Sequence, residues 1–123
     1  MAHRISADAG EAVTSLADDD VPLGMLKALV ARCDLLITND SGPRHFAPAL
    51  GRPVVTIVGP TDPRWSESGY ERETVLNAEV ECAPCMQRTC PEGHHRCMLA
   101  IDPSQVVEAA DRQIRGLPRG ENA

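Results

Sequence analysis

The segment Asp40-Ser41-Gly42-Pro43-Arg44-His45 combines residue types that could bind a phosphate group. It follows the apolar run 35–38, which predicts a buried strand, and a helix is expected to begin near Gly42. The free N–H groups of a helix's first turn favour an anion. Gly42 would let the backbone approach a ligand closely, and Ser41 and His45 could donate hydrogen bonds from one helix side. The same pattern is typical of a Ser N-cap with a His bonded to backbone, and spacing alone leaves both interpretations open.

A second turn, Gly59-Pro60-Thr61-Asp62-Pro63, follows the next apolar run and adds Thr61 as a candidate lining residue. In open α/β sheets, ligands bind outside the carboxyl ends of the strands, where both turns are expected to lie. Simple turn formation explains Thr61 as well as ligand contact does. Arg44 and Arg64 could reach phosphates, although exposed arginines usually stay solvated.

A third group of residues could hold a metal ion. Four cysteines are spaced C-x2-C-x4-C-x6-C, and His94 and His95 stand between the last two; the cysteines are Cys82, Cys85, Cys90 and Cys97. Four such ligands can surround one tetrahedral zinc, which would order an otherwise irregular loop. Reduced thiols packed in a proline-rich loop, or an adventitious disulfide, remain the alternatives.

The elements that must position these groups alternate between strand and helix patterns. Residues 12–16 predict a strand, residues 21–33 a helix capped by Asp20, and residues 54–58 a buried strand. Residues 74–76 predict a short strand, and the capping box that starts at Asp102 begins a helix to about Ile114. Its apolar side is expected to contain Val106, Val107, Ala110 and Ile114. The order predicts an α/β fold, a Rossmann-like parallel sheet with flanking helices.

Length and composition narrow the class of protein. The 123 residues suffice for one domain, and 42% hydrophobic with 24% charged residues is typical of a soluble globular chain. Phe46, Trp65 and Tyr70 are the only aromatic residues, so the core must be built from aliphatic side chains. A net charge of −6 without a basic run argues against a nucleic-acid partner. No apolar run is long enough for a transmembrane segment.

The segment from Cys33 to His45 resembles the donor-binding signature of the ADP-heptose:lipopolysaccharide heptosyltransferases, of the heptosyltransferase II type within glycosyltransferase family 9. The resemblance covers about residues 13–114. Further blocks carry it: Ala47, Ala49 and Leu50, 53–55, 59–63, 82–85, 90–91, 97–98 and 103–107. Several ordered blocks at matching spacing are a more specific signal than one short motif.

The resemblance implies the incomplete C-terminal domain of a GT-B glycosyltransferase, which binds the nucleotide-sugar. The family's Asp-Ser/Thr-Gly-x-x-His pattern assigns donor contacts to Asp40, Ser41, Gly42 and His45, and Thr61 is a weaker lining candidate. The donor would be ADP-heptose and the acceptor a lipid-linked core oligosaccharide, joined with inversion. No cofactor is required. The resemblance assigns residues 12–115 to a partial donor-binding domain with a Cys-rich loop at 80–98. A flexible N-terminus at 1–11 would precede this domain, and a disordered tail at 116–123 would follow it.

The match covers only the last part of the family. The acceptor domain and its general base have no counterpart, so no catalytic residue is assigned, and this polypeptide alone is expected to have negligible transferase activity. The alternatives are a non-catalytic, zinc-stabilised binding module and a family 9 transferase that uses another sugar nucleotide. The N-terminus lacks the apolar stretch of a signal peptide, which predicts a cytoplasmic protein, at most peripheral at the inner face of the inner membrane.

Overall fold

The computed structural model describes residues 1–116, which contain five α-helices and three strands. The predicted tail lies outside the described residues except for Gly116. The elements are α1 (Ala2–Ala9), α2 (Leu23–Arg32), β1 (Leu36–Asn39), α3 (Phe46–Ala49), β2 (Val54–Val58), β3 (Glu73–Asn77), α4 (Arg96–Leu99) and α5 (Pro103–Ile114). Short 3₁₀ turns occupy Gly10–Ala12, Gly42–His45 and Pro63–Trp65.

The three strands of the described part form one parallel sheet in the order β1-β2-β3. Leu36 pairs with Val54 and Val54 pairs with Glu73, so all three carboxyl ends lie at one edge. The central strand β2 is an apolar run bounded by Pro53 and Gly59, and four of its five residues are buried. This confirms the predicted α/β class with a parallel sheet.

The core lies between the sheet and helices α2 and α3. Its fully buried members are Val30, Ala47 and Val54, and partly buried side chains pack around them: Leu26, Cys33, Leu36, Phe46, Leu50 and Tyr70. Aliphatic residues dominate this cluster, as the shortage of aromatic residues predicts. Trp65 lies outside this cluster and is 78% exposed.

The predicted strand at residues 12–16 is wrong. The structure has a 3₁₀ turn at Gly10–Ala12 followed by unpaired chain, and Val13 and Leu16 are both exposed. A strand needs a neighbour for its backbone groups, and this apolar pentapeptide has none among the described residues. The segment before it forms the helix α1, which buries no residue.

The start of α2 also differs from the prediction. The helix begins at Leu23 with Pro22 in the N-cap position, and no side chain caps it, so Asp20 does not act as the cap. Its end at Cys33 is as predicted.

The capping box of α5 is confirmed. The Asp102 carboxylate accepts a hydrogen bond from the Ser104 N–H, and the Asp102 N–H donates to the Gln105 side chain, both at 2.8 Å. The hydrogen bonds from the Ser104 side chain and backbone N–H lower the pKa of the Asp102 carboxyl below its ordinary value. The helix start is therefore fixed by local chemistry.

The buried side of α5 agrees with the predicted one only in part, since of the four predicted residues Val106 and Ala110 are half-buried. Ala109 and Gln113 are buried, whereas Val107 and Ile114 are 64% and 59% exposed. The Gln113 side-chain amide donates to the Thr74 hydroxyl at 2.9 Å, so a polar residue faces the sheet with its donor satisfied. Among the described residues, every helix is too short or too polar to traverse a bilayer.

Candidate functional site

The loop that carries the phosphate-binding pattern leaves the carboxyl end of β1. The Asp40 N–H still bonds to the Ile57 carbonyl of β2 at 3.1 Å, after which Ser41 is extended with φ −146° and ψ 171°. The chain then turns through Gly42–His45 and continues as α3. The loop therefore lies at the predicted sheet edge, where α/β folds bind ligands.

The turn supplies fewer amide donors than the predicted helix start. Residues 42–45 are a 3₁₀ turn, Pro43 has no N–H, and the Arg44 N–H donates to the Ser41 carbonyl at 3.1 Å. The Gly42 N–H donates to no described residue. Among Gly42, Pro43 and Arg44, only Gly42 therefore has a backbone N–H that is free to bind a ligand. The predicted helix start would have offered several such groups.

Gly42 and His45 are exposed, and Ser41 is half-buried. A Cβ at Gly42 would meet no atom within 4 Å, so packing does not require glycine here, and the bare backbone is open to a ligand. The Ser41 hydroxyl donates to the Asn39 side-chain oxygen at 2.8 Å. The His45 ring hydrogen-bonds to none of the described residues, so the predicted His bonded to backbone is not what the structure shows.

Asp40 and Thr61 lie together, but they bond to each other. The Thr61 hydroxyl donates to Asp40 Oδ2 at 2.6 Å, and Arg44 Nη1 donates to Asp40 Oδ1 at 2.7 Å. Burial raises the pKa of Asp40, but the hydrogen bonds from Thr61, Arg44 and Ser66 and the Arg44 charge outweigh it, and the pKa falls below its ordinary value. The carboxyl is therefore ionised and both oxygens already accept hydrogen bonds.

Arg44 is buried, contrary to the expectation for an exposed arginine. Its side chain is 2% exposed, and Nη2 donates to Glu73 Oε1 at 2.8 Å while Nη1 also donates to the Ser66 hydroxyl at 2.6 Å. Thr56 and Ser68 donate to the same Glu73 carboxylate at 2.8 and 2.6 Å. Nothing in the sequence around Glu73 predicts this role, and the polar Thr56 inside an apolar strand is the one signal that points to it.

A cleft of about 370 Å³ opens beside Thr61, past the carboxyl ends of β2 and β3. Gly59 and Thr61 border it from one side, and Asn77, Glu79 and Ala83 from the other. Thr61 therefore stands between this cleft and the Asp40 carboxylate. Arg64, in the same turn, is exposed and pairs with Asp62, its Nε lying 2.9 Å from Oδ1.

The Cys-rich loop brings its four cysteines to one cavity of about 220 Å³, which His94 and His95 also line. Cys82 Sγ lies 4.0 Å from His94 Nε2, and all five cysteines of the chain are free thiols. Backbone N–H groups, first that of His95 and also those of Glu92, Gly93 and His94, lower the pKa of the Cys90 thiol. Within residues 1–116, no three Cys, His, Asp or Glu side chains are arranged to hold a metal ion. The geometry therefore does not favour zinc, which stays a prediction.

Most of this chain is similar in sequence to known proteins. The family model described as glycosyltransferase family 9 (heptosyltransferase) matches residues 2–96. Lipooligosaccharide heptosyltransferase 2 of Campylobacter jejuni serotype O:2 is 40% identical over 87 residues, which cover 70% of this chain and 27% of that protein. Lipopolysaccharide heptosyltransferase 2 of Escherichia coli K12 is 32% identical over 80 residues, 65% of this chain and 23% of that protein.

These relatives are much longer than the present chain, which spans about a quarter of their length. Lipopolysaccharide heptosyltransferase 1 of Pseudomonas aeruginosa is 34% identical over 67 residues, 54% of this chain and 19% of that protein. No solved structure matches the chain. Since the family model covers well over half of the 123 residues and the parallel α/β sheet agrees with it, the chain belongs to glycosyltransferase family 9, the heptosyltransferases, which are GT-B enzymes.

Proposed function

We propose that this chain binds the diphosphate of ADP-heptose, as the donor-binding part of an inverting heptosyltransferase of lipopolysaccharide core assembly. One observation carries the proposal: within a family 9 chain, the exposed Gly42 and His45 stand open to solvent at the carboxyl end of β1. The relatives named heptosyltransferase 2 support heptose as the transferred sugar. The words lipooligosaccharide and lipopolysaccharide in their names support a lipid-linked core oligosaccharide as the acceptor.

The loop offers hydrogen-bond donors suited to phosphate oxygens. The free Gly42 N–H can donate directly, and the unpaired His45 ring can donate through one nitrogen, more strongly when protonated. The Ser41 hydroxyl can donate once it leaves the Asn39 side chain. During transfer, the acceptor hydroxyl attacks the anomeric carbon and gives its proton to a general base, a role that no residue of this chain is assigned. The bond to the diphosphate breaks, and ADP leaves with the electron pair. These donors would stabilise the charge that develops on the departing diphosphate.

Calorimetry on the full 123-residue chain tests this proposal with ADP as the titrant. We expect ADP to bind the wild-type chain and His45→Ala to weaken binding about tenfold, the loss of one hydrogen bond to a charged group. His3→Ala is the matched control because His3, on α1, is 68% exposed and outside the loop. GDP and UDP in place of ADP test the alternative of another sugar nucleotide. Absence of ADP binding, or equal binding by His45→Ala, would contradict the proposal.

We also propose a cytoplasmic location, at most peripheral at the inner face of the inner membrane. The five free thiols agree with a reducing compartment. Fractionation of cells that express the tagged chain tests it, since recovery in the periplasmic fraction would contradict this location.

A further inference from the structure

We propose that Arg44 is a positioning residue that holds the Ser41–His45 loop in its ligand-binding shape, and that Asp40 and Thr61 act through Arg44 rather than by touching the donor diphosphate. The inference rests on the proposed function, because it assigns roles around the same loop. It revises the family-derived assignment as far as contact of Asp40 and Thr61 with the donor diphosphate is concerned.

The contacts of Arg44 join three separate stretches of chain. Its guanidinium donates to Asp40 at the end of β1, to Ser66 after the second turn, and to Glu73 at the start of β3, all within 2.8 Å. Thr61 ties the second turn to the same Asp40 carboxylate at 2.6 Å. Arg44 immediately precedes the exposed His45, so these bonds anchor the backbone next to the residue proposed to meet the ligand.

Charge and burial exclude Arg44 from direct contact with the ligand. Its side chain is 2% exposed, and the two carboxylates that flank it, Asp40 and Glu73, are 15% and 5% exposed. The positive charge of Arg44 is therefore neutralised by these two carboxylates inside the protein. Loss of the guanidinium would leave both of these carboxylates without a counter-charge inside the protein, which is strongly unfavourable.

The same bonding pattern argues against Asp40 as a diphosphate ligand. An ionised carboxylate only accepts hydrogen bonds, and so does an ionised diphosphate, so the two repel. Both Asp40 oxygens already accept bonds, from Arg44 and Thr61. The Thr61 hydroxyl has one hydrogen, and its hydrogen bond to Asp40 uses that hydrogen. Both residues thus contribute by fixing the loop.

A double-mutant cycle on the full chain tests the proposal, with the ADP dissociation constant as the readout. We expect Thr61→Val to weaken ADP binding about fivefold and Asp40→Asn about tenfold. The double variant should bind ADP no more weakly than Asp40→Asn alone, because both changes break one shared interaction. Thr61→Ser, which keeps the hydroxyl, should stay within about twofold of wild type. Arg64→Ala is the matched control, since Arg64 lies in the same turn with its side chain 81% exposed, and Asp62 keeps its bond from the Arg64 backbone N–H in the variant.

Thermal unfolding of each variant confirms that the measured chains are folded. Should Asp40→Asn fail to fold, Ser66→Ala replaces it in the cycle, because Ser66 accepts from the same Arg44 nitrogen. Losses that multiply in the double variant would mean independent donor contacts and overturn the proposal, as would unchanged binding by folded Thr61→Val. If the wild-type chain binds no ADP, the proposed function fails and this inference falls with it; binding with multiplicative losses overturns this inference alone.

Discussion

Cys90 shows how backbone geometry alone changes the chemistry of one side chain. The N–H groups of the turn that follows it, first that of His95, lie around its sulfur and favour the thiolate, so the pKa of the thiol is lowered. A lowered pKa means that the thiolate, the reactive form, is populated at a lower pH than in an ordinary cysteine. The loop is half-buried at Cys90, so small reagents can reach it.

We therefore predict that the alkylation of Cys90 by iodoacetamide reaches half its maximal rate at a lower pH than that of a short cysteine peptide. Cleavage after Arg88 and Arg96 isolates residues 89–96, in which Cys90 is the only cysteine, so mass spectrometry can follow this thiol alone. The peptide labelled in the unfolded chain serves as the control. A midpoint equal to that of the unfolded chain would contradict the assigned pKa direction.

At the scale of elements, burial separates valines that look alike in the sequence. Val54 at the start of β2 is fully buried in the core cluster, whereas Val107 on α5 is 64% exposed. We predict that Val54→Ala lowers the free energy of unfolding by about 2 kcal/mol, through lost burial and a small cavity. Val107→Ala, its matched control, should change it by less than about 0.5 kcal/mol.

Urea denaturation followed by circular dichroism measures both variants. Equal losses in the two would mean that α5 packs through the side predicted from its apolar residues. That result would contradict the described burial of Ala109 and Gln113.

The sequence predicted those elements whose signals are local. Strand β2 is an uninterrupted apolar run between Pro53 and Gly59, and the start of α5 is fixed by Asp102 and Gln105 within four residues. The strand expected at residues 12–16 failed because pairing depends on a neighbour that local pattern cannot supply.

The candidate site was predictable to the same extent. Ser41, Gly42 and His45 form one contiguous pattern, and their place after β1 follows from it. The ion pair of Arg44 with Glu73 joins residues 29 positions apart, and no spacing rule connects them. The sequence therefore predicted where the loop lies but not the buried network that holds it, and the ligand contacts of Ser41, Gly42 and His45 stay predictions.

At the scale of the whole molecule, the proposed donor-binding loop is one requirement of transfer, and a group that deprotonates the acceptor is another. Transfer needs a base within hydrogen-bond reach of the acceptor hydroxyl. In the described sheet, the carboxylates nearest the loop are already committed: Asp40 to Arg44 and Thr61, and Glu73 to Arg44, Thr56 and Ser68. Neither can accept a proton without breaking the network around Arg44.

We therefore predict that the 123-residue chain binds ADP but transfers no heptose from ADP-heptose to a core oligosaccharide acceptor above the rate without protein. Mass spectrometry of the acceptor after incubation measures product, and calorimetry on the same preparation shows that the donor site is occupied. A full-length heptosyltransferase 2, such as that of Campylobacter jejuni, is the positive control, since the present chain corresponds to 27% of its length. Heptosylated acceptor formed by the chain alone would show that a base exists within these residues and would contradict the separation of the two roles.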